Sequence, residues 1–171
     1  IADFVAAMTA GQSAASPLAP LPADLRRTMA ERRRPLNVGG PVMGATSDVR
    51  IPVGDRDLPL RIYRPVGANG SRALVYMHGG GWTIGSIDTH DRLMREYAVA
   101  CRSLVIGADY SLAPENPFPA ALFECLAVIR WLRSGDAIPV PAAIIVAGDS
   151  AGASLALGAC VRLRDAGEPP V

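Results

Sequence analysis

Three uninterrupted apolar runs, at residues 73–77, 104–108 and 143–147, punctuate this chain and restrict its fold more than any other feature. A strand that reads as continuous Val, Ile, Leu and Ala, without polar alternation, fits a parallel sheet covered on both faces. Helical patterns fill the gaps. Leu93, Tyr97, Ala100 and Cys101 are spaced for one helix face, and Leu122, Cys125, Leu126, Ile129 and Leu132 for another. A third pattern with Leu155, Cys160, Val161 and Leu163 follows the last run. Strand, helix, strand, helix, strand is the order of an open α/β sheet. Upstream, Val49, Ile51 and Val53, then Leu58, Leu60 and Ile62, alternate around Gly54-Asp55, which predicts an antiparallel pair at a sheet edge.

The 171 residues suffice for one sizeable core. A net charge of +1 supplies no global field toward nucleic acid or membrane, and no apolar run reaches the length of a bilayer span. All 17 basic residues are arginine, which suggests a high-GC coding genome. Residues 1–15 lack the charged start of a signal peptide. Cys101, Cys125 and Cys160 are odd in number, widely spaced and without a metal-binding pattern. They read as reduced thiols with a small packing role in a cytoplasmic, bacterial-type protein. Residues 1–45 differ from the rest. Pro17, Pro20 and Pro22 precede a helix that Asp24 could cap and Pro35 could stop, and its arginines read as a solvated face.

Chemistry concentrates where the apolar runs end. After the run 143–147 stands Gly148-Asp149-Ser150-Ala151-Gly152, a G-x-S-x-G pattern in a strand-turn-helix setting. A strand turning sharply into a helix exposes the serine hydroxyl at the apex. The glycines on either side remove side chains that would collide there, and the helix N-terminus favours developing negative charge. After the run 73–77 stands His78-Gly79-Gly80-Gly81-Trp82, whose glycines leave backbone N–H groups unobstructed for an oxyanion. A phosphate cradle would need a different glycine spacing, which is absent. The Pro-rich stretch 109–120 follows the run 104–108 and is expected to brace the site as a rigid loop through buried polar contacts.

With HGGGW, DYSLAPENPFPAAL and GDSAGAS in this order, the chain resembles the hormone-sensitive-lipase family of esterases, over nearly its whole length. The resemblance implies the N-terminal portion of an α/β-hydrolase sheet, mostly parallel with helices on both faces. It also implies a cap segment at residues 1–45, an incomplete catalytic domain at 46–171, and later strands absent from this sequence. It assigns Ser150 as nucleophile and the amides of Gly80, Gly81 and Ala151, with Gly79, as oxyanion donors. His78 is implied to shape the loop, Trp82 to line the substrate pocket, and Asp149 to belong to the motif. No metal or organic cofactor is implied.

In this fold the triad runs Ser, then Asp or Glu, then His along the chain. The acid and base are therefore expected beyond residue 171, because His78 is held in its motif and His90 lies near a helix start. The expected function is carboxylic ester hydrolysis through an acyl-enzyme, with a small ester as substrate. The alternatives are a small-ligand-binding member of the same fold without catalysis, or an inactive fragment. The unpaired edge of the strand 143–147 is expected to need the remaining C-terminal part of the protein, or a second copy.

Overall fold

The computed structural model describes residues 22–68, 70–136, 138–169 and 171. The stretch through Pro17 and Pro20 and the start of the expected cap segment lie outside the described residues. Helix α1 covers Pro22–Arg33 and continues as a three-ten turn, Arg34–Asn37. Asp24 is the third residue of α1 rather than its cap: Pro22, which needs no N–H, takes a first-turn position, and Asp24 pairs with Arg27 at 2.8 Å. No residue of α1 is buried, in keeping with a solvated face, although Arg26 departs from that reading as described below.

The sheet contains β1 (Ala45–Val53), β2 (Arg56–Arg64), β3 (Arg72–Met77), β4 (Leu104–Ala108) and β5 (Ala143–Gly148), in the order β1-β2-β4-β3-β5. The expected edge pair forms: β1 and β2 are antiparallel from Ala45↔Arg64 to Val53↔Arg56, and Gly54 supplies the positive φ of the turn. Strand β2 alone runs against the others, pairing antiparallel with β4 as well. Strand β3 lies parallel between β4 and β5, as the apolar runs require.

Three further helices cover the sheet: α2 (Asp91–Cys101), α3 (Ala120–Ser134) and α4 (Ala151–Asp165). Alternate residues of each strand face opposite ways. Ile62, Ala73, Val75, Met77 and Ile106 pack with Cys125, Ile129, Leu155 and Leu163 of α3 and α4. Tyr63, Leu74, Tyr76 and Val105 pack with Met94 and Ala98 of α2. Each such large apolar side chain, fully buried, contributes about 1.5–3 kcal/mol.

Further expectations need correction. On α2 the buried stripe is Met94 and Ala98, whereas Tyr97, Ala100 and Cys101 are exposed. The reason lies across the interface: Gly107 on β4 leaves a gap that the Met94 sulfur fills, which turns the helix by about one residue. On α4 the stripe is built from Leu155, Ala156, Ala159 and Leu163, and Val161 is exposed, because the small alanines permit close approach to the sheet. The run at β5 is not covered on both faces. Ile145 is 44% exposed, because β5 is the last strand of the described sheet. Among the cysteines, Cys125 is buried and its thiol pushed up to about 12 by burial, which makes it unreactive packing. Cys101 is exposed, so the expected packing role does not hold for it as it does for Cys125. Among the described residues no helix is long and apolar enough to cross a membrane.

Candidate active site

The C-terminal ends of β3 and β5 are adjacent because the two strands pair in register up to Met77↔Gly148. The loops leaving them are the two glycine motifs. At the end of β5 the chain turns into α4 through Ser150, which adopts φ 50°, ψ −117°. A non-glycine residue there is strained, at a cost on the order of 1–3 kcal/mol, and persists only where its surroundings fix it. Here they do. A Cβ on Gly148 or Gly152 would collide with the Met77 carbonyl, so both positions press directly against the β3 backbone. Ser150 itself is exposed, and Ala151 begins α4, where an amide has no intrahelical acceptor.

The loop after β3 is equally constrained. Gly80 (φ 133°) and Gly81 (φ 59°) both need left-handed backbone, and a Cβ on Gly80 would strike the Ile84 carbonyl. The Gly80 carbonyl accepts from Thr83 and Ile84 N–H at 3.1 and 3.0 Å, which closes the turn. Among the described residues, no hydrogen bond uses the N–H of Gly80 or Gly81. The Gly79 N–H differs: it donates to Asp149 Oδ1 at 2.7 Å and is already committed. Trp82 follows with φ 59° and a half-exposed ring.

Asp149 joins the two loops. Its Oδ1 accepts from Gly79 N–H and from the Tyr76 hydroxyl at 2.8 Å. Burial acts to raise this carboxyl, but the Tyr76 and Gly79 hydrogen bonds, with the nearby His90 ring and the Arg33 charge, outweigh it and hold it below its ordinary value. Burial drives the Tyr76 hydroxyl up, so it stays a donor.

Both histidines lie beneath the loops, not above them. His78 is 2% and His90 1% exposed. The His78 ring stacks between Tyr110, at 4.3 Å, and His90, at 5.5 Å, and its Nδ1 lies 2.9 Å from the Gly79 carbonyl. The Tyr110 hydroxyl donates to the His78 carbonyl at 2.6 Å. Burial lowers both imidazoles, and Arg33 lowers His90 further. His90 Nε2, 3.6 Å from Asp149 Oδ1, is therefore a neutral ring near a carboxylate and not an ion pair. Among the described residues no hydrogen bond joins Ser150 to either ring.

The loop 109–119 braces the site as expected, through residues the sequence did not single out. Glu124 of α3, 5% exposed, accepts from the Ser111 N–H and hydroxyl, each at 2.6 Å. Arg56 of β2 reaches Ser111 and Asn116 at 2.8 and 2.5 Å. Between this loop, Trp82 and Leu155 of α4 lies an apolar cavity of about 300 Å³ that Phe118 and Leu122 also line. The signal for Glu124 was present: an acid three residues after buried Ala121 and four before buried Val128 sits on the core stripe.

A mostly parallel sheet with a strained serine elbow beside a glycine loop at its C-terminal ends defines an α/β hydrolase. A sequence profile described as alpha/beta hydrolase fold matches residues 74–171, and the chain belongs to that family, in its hormone-sensitive-lipase-like branch. The chain is similar to the carboxylesterase NlhH of Mycobacterium tuberculosis, at 40% identity over 121 residues, 69% of this chain and 38% of that protein. It is similar to an arylesterase of Saccharolobus solfataricus at 37% identity over 125 residues, 72% of this chain and 41% of the relative. Among solved structures, the ester hydrolase EH1AB1 from the Lake Arreo metagenome superposes with a TM-score of 0.84 at 33% identity, over 98% of this chain and 54% of that one. The carboxylesterase EstE1 from a metagenomic library gives 0.80 at 38% identity, over 86% and 51%. The chain thus spans about two fifths of the length of these curated relatives and about half of these structures.

Proposed function

We propose that the protein to which this chain belongs is a carboxylic ester hydrolase with Ser150 as nucleophile. The observation that carries this reading is the strained, exposed Ser150 at the β5–α4 elbow, with glycine-loop amides on the adjacent strand. Ser150 Oγ attacks the ester carbonyl and gives its proton to a histidine base. The carbonyl oxygen becomes an oxyanion held by the amides of Gly80, Gly81 and Ala151. The Gly79 amide, bound to Asp149, holds the loop in place instead. The intermediate collapses as the alkoxide leaves with the proton, and water then releases the acid from the acyl-enzyme. Each oxyanion donor is worth about 3 kcal/mol.

The triad acid and base are proposed to lie beyond residue 171, in the length of the relatives this chain does not span. The neutral, buried His78 and His90 are occupied with loop structure. The 300 Å³ cavity takes the acyl or alkoxy chain of a small ester, with Trp82 on its wall. It is at the small end of ligand sites, roughly 300–1,000 Å³. Another cleft, of about 450 Å³, lies between Asp48, Arg61 and Asp109; Arg61 pairs with Asp48 and Asp88 at its rim, and its lining is more polar than that of the 300 Å³ cavity. No cofactor enters this chemistry. The test is hydrolysis of p-nitrophenyl esters by the full-length protein and its Ser150→Ala variant. The variant is expected to lose at least a thousandfold in kcat. Unchanged turnover would sink the assignment and leave a ligand-binding role for the cavity.

A further inference from the structure

Arg26 of α1 hydrogen-bonds to both loops of the site. Its side chain is 30% exposed, and its guanidinium contacts two loops at once. Nε donates to the Thr83 carbonyl at 2.8 Å, next to Trp82 in the glycine loop. Nη2 donates to the Ala113 carbonyl at 2.9 Å and to Glu115 Oε2 at 2.7 Å, and Nη1 to Glu115 Oε1 at 3.0 Å, all in the loop 109–119. The two loops also touch directly, since the Ala113 N–H donates to the Trp82 carbonyl at 2.8 Å. The hydrogen bonds therefore close a ring: Arg26 to Thr83, Thr83 to Trp82 along the chain, Trp82 to Ala113, and Ala113 back to Arg26. Trp82 and Ala113 of that ring line the apolar cavity, and Thr83 closes the turn of Gly80 and Gly81 through its N–H to the Gly80 carbonyl. A planar fork with donors on two edges can satisfy two carbonyls and a carboxylate together. A lysine ammonium on a flexible stem cannot reproduce that geometry.

We infer that Arg26 is a positioning residue for ester hydrolysis: it clamps the glycine loop to the loop 109–119 and so sets where the oxyanion amides and Trp82 stand. The N-terminal helix thereby becomes a working part of the site. This rests on the proposed ester hydrolysis. Displacing an amide by a fraction of an ångström weakens the oxyanion contact more than substrate binding, and a 1 Å error can cost about a hundredfold in rate.

The test uses the full-length protein with Arg26→Ala, Arg26→Lys and Glu115→Gln. It measures kcat and KM for p-nitrophenyl esters, together with inhibition by a trifluoromethyl ketone, which forms an oxyanion adduct on an activated serine. Arg26→Ala is expected to lower kcat on the order of 10- to 100-fold and to weaken the ketone in parallel, with KM changed less than about threefold. Arg26→Lys is expected to fall close to Arg26→Ala, and Glu115→Gln to lose less because both carbonyl bonds remain. Arg26→Lys keeps the charge and stem, so it decides the matter if Arg26→Ala is unfolded. Wild-type kcat and ketone inhibition in Arg26→Lys, or a change in KM alone, would overturn the inference. Ser150→Ala assayed alongside separates the two failures: if it stays active, the hydrolase reading falls; if it is dead while Arg26 variants are unaffected, only the clamp falls.

Discussion

The carboxylate of Asp149 accepts the backbone N–H of Gly79 across the gap between β5 and β3, at 2.7 Å. The two glycine-motif loops are therefore bolted together by a side chain of one and the main chain of the other. Asp149→Ala would leave the buried Gly79 amide and the Tyr76 hydroxyl without this acceptor. A buried donor left unsatisfied costs about 1–3 kcal/mol. Asp149→Ala in the full-length protein is expected to lose about that much in urea unfolding, and Asp149→Asn, which keeps an acceptor oxygen, less. Because the folded-state pKa lies below the ordinary carboxyl value, this stabilisation is present above about pH 4 and lost as pH falls through the folded value.

Ser150 stores strain that glycine would not. At φ 50°, ψ −117° a residue without Cβ is at ease, whereas alanine is as strained as serine. Ser150→Gly is expected to raise stability over Ser150→Ala by about 1 kcal/mol, after the entropy glycine adds to the unfolded chain. Both are expected to be inactive. Thermal unfolding of the two variants side by side checks this, and equal midpoints would mean that the elbow is not strained.

Acid sensitivity should begin well above the carboxylate range. Burial lowers both His78 and His90 from 6.5, so the folded state holds them neutral while the unfolded chain takes up protons near that pH. The unfolded state binds more protons, so stability is full above about pH 6.5 and declines as pH falls toward the lowered folded-state values. Asp149 opposes the shift at His90, and Arg33 and His78 reinforce it. Urea midpoints between pH 8 and 5 are expected to fall below 6.5, with a shallower fall in His90→Gln. A flat profile would contradict neutral burial.

The exposed edge of β5 has its own consequence. Ile145 is 44% exposed beside a row of strand groups with no neighbour among the described residues. The 171-residue chain expressed alone is expected to self-associate in sedimentation. A protein of the relatives' full length is expected not to do so through this face, on the proposal that further strands pair with β5. A monomeric 171-residue chain with a cooperative unfolding transition would refute the need for cover.

Much of this architecture was legible in the sequence because its signals are local. Three apolar runs became β3, β4 and β5, and Gly54 marked the β1–β2 turn. Both glycine motifs lie where their flanking runs put them. What escaped was decided across space. The face that α2 buries was set by Gly107 on another strand. Asp149 claiming the Gly79 amide depends on the β3–β5 register. Arg26 stands among seemingly equivalent arginines, and only the tertiary position of Thr83 and Ala113 distinguishes it.

The strand order carries one more consequence, for how the site comes into being. Strand β3 pairs first in sequence with β4, but the pairing that brings Ser150 to the glycine loop joins Arg72 to Ala143, and these lie far apart along the chain. Closing a loop of about 70 residues costs more chain entropy than any other pairing in this sheet. The pairing that joins the elbow to the glycine loop is thus the least local within the sheet, and substitutions that weaken it should tell first in the rate at which the proposed activity is regained on refolding.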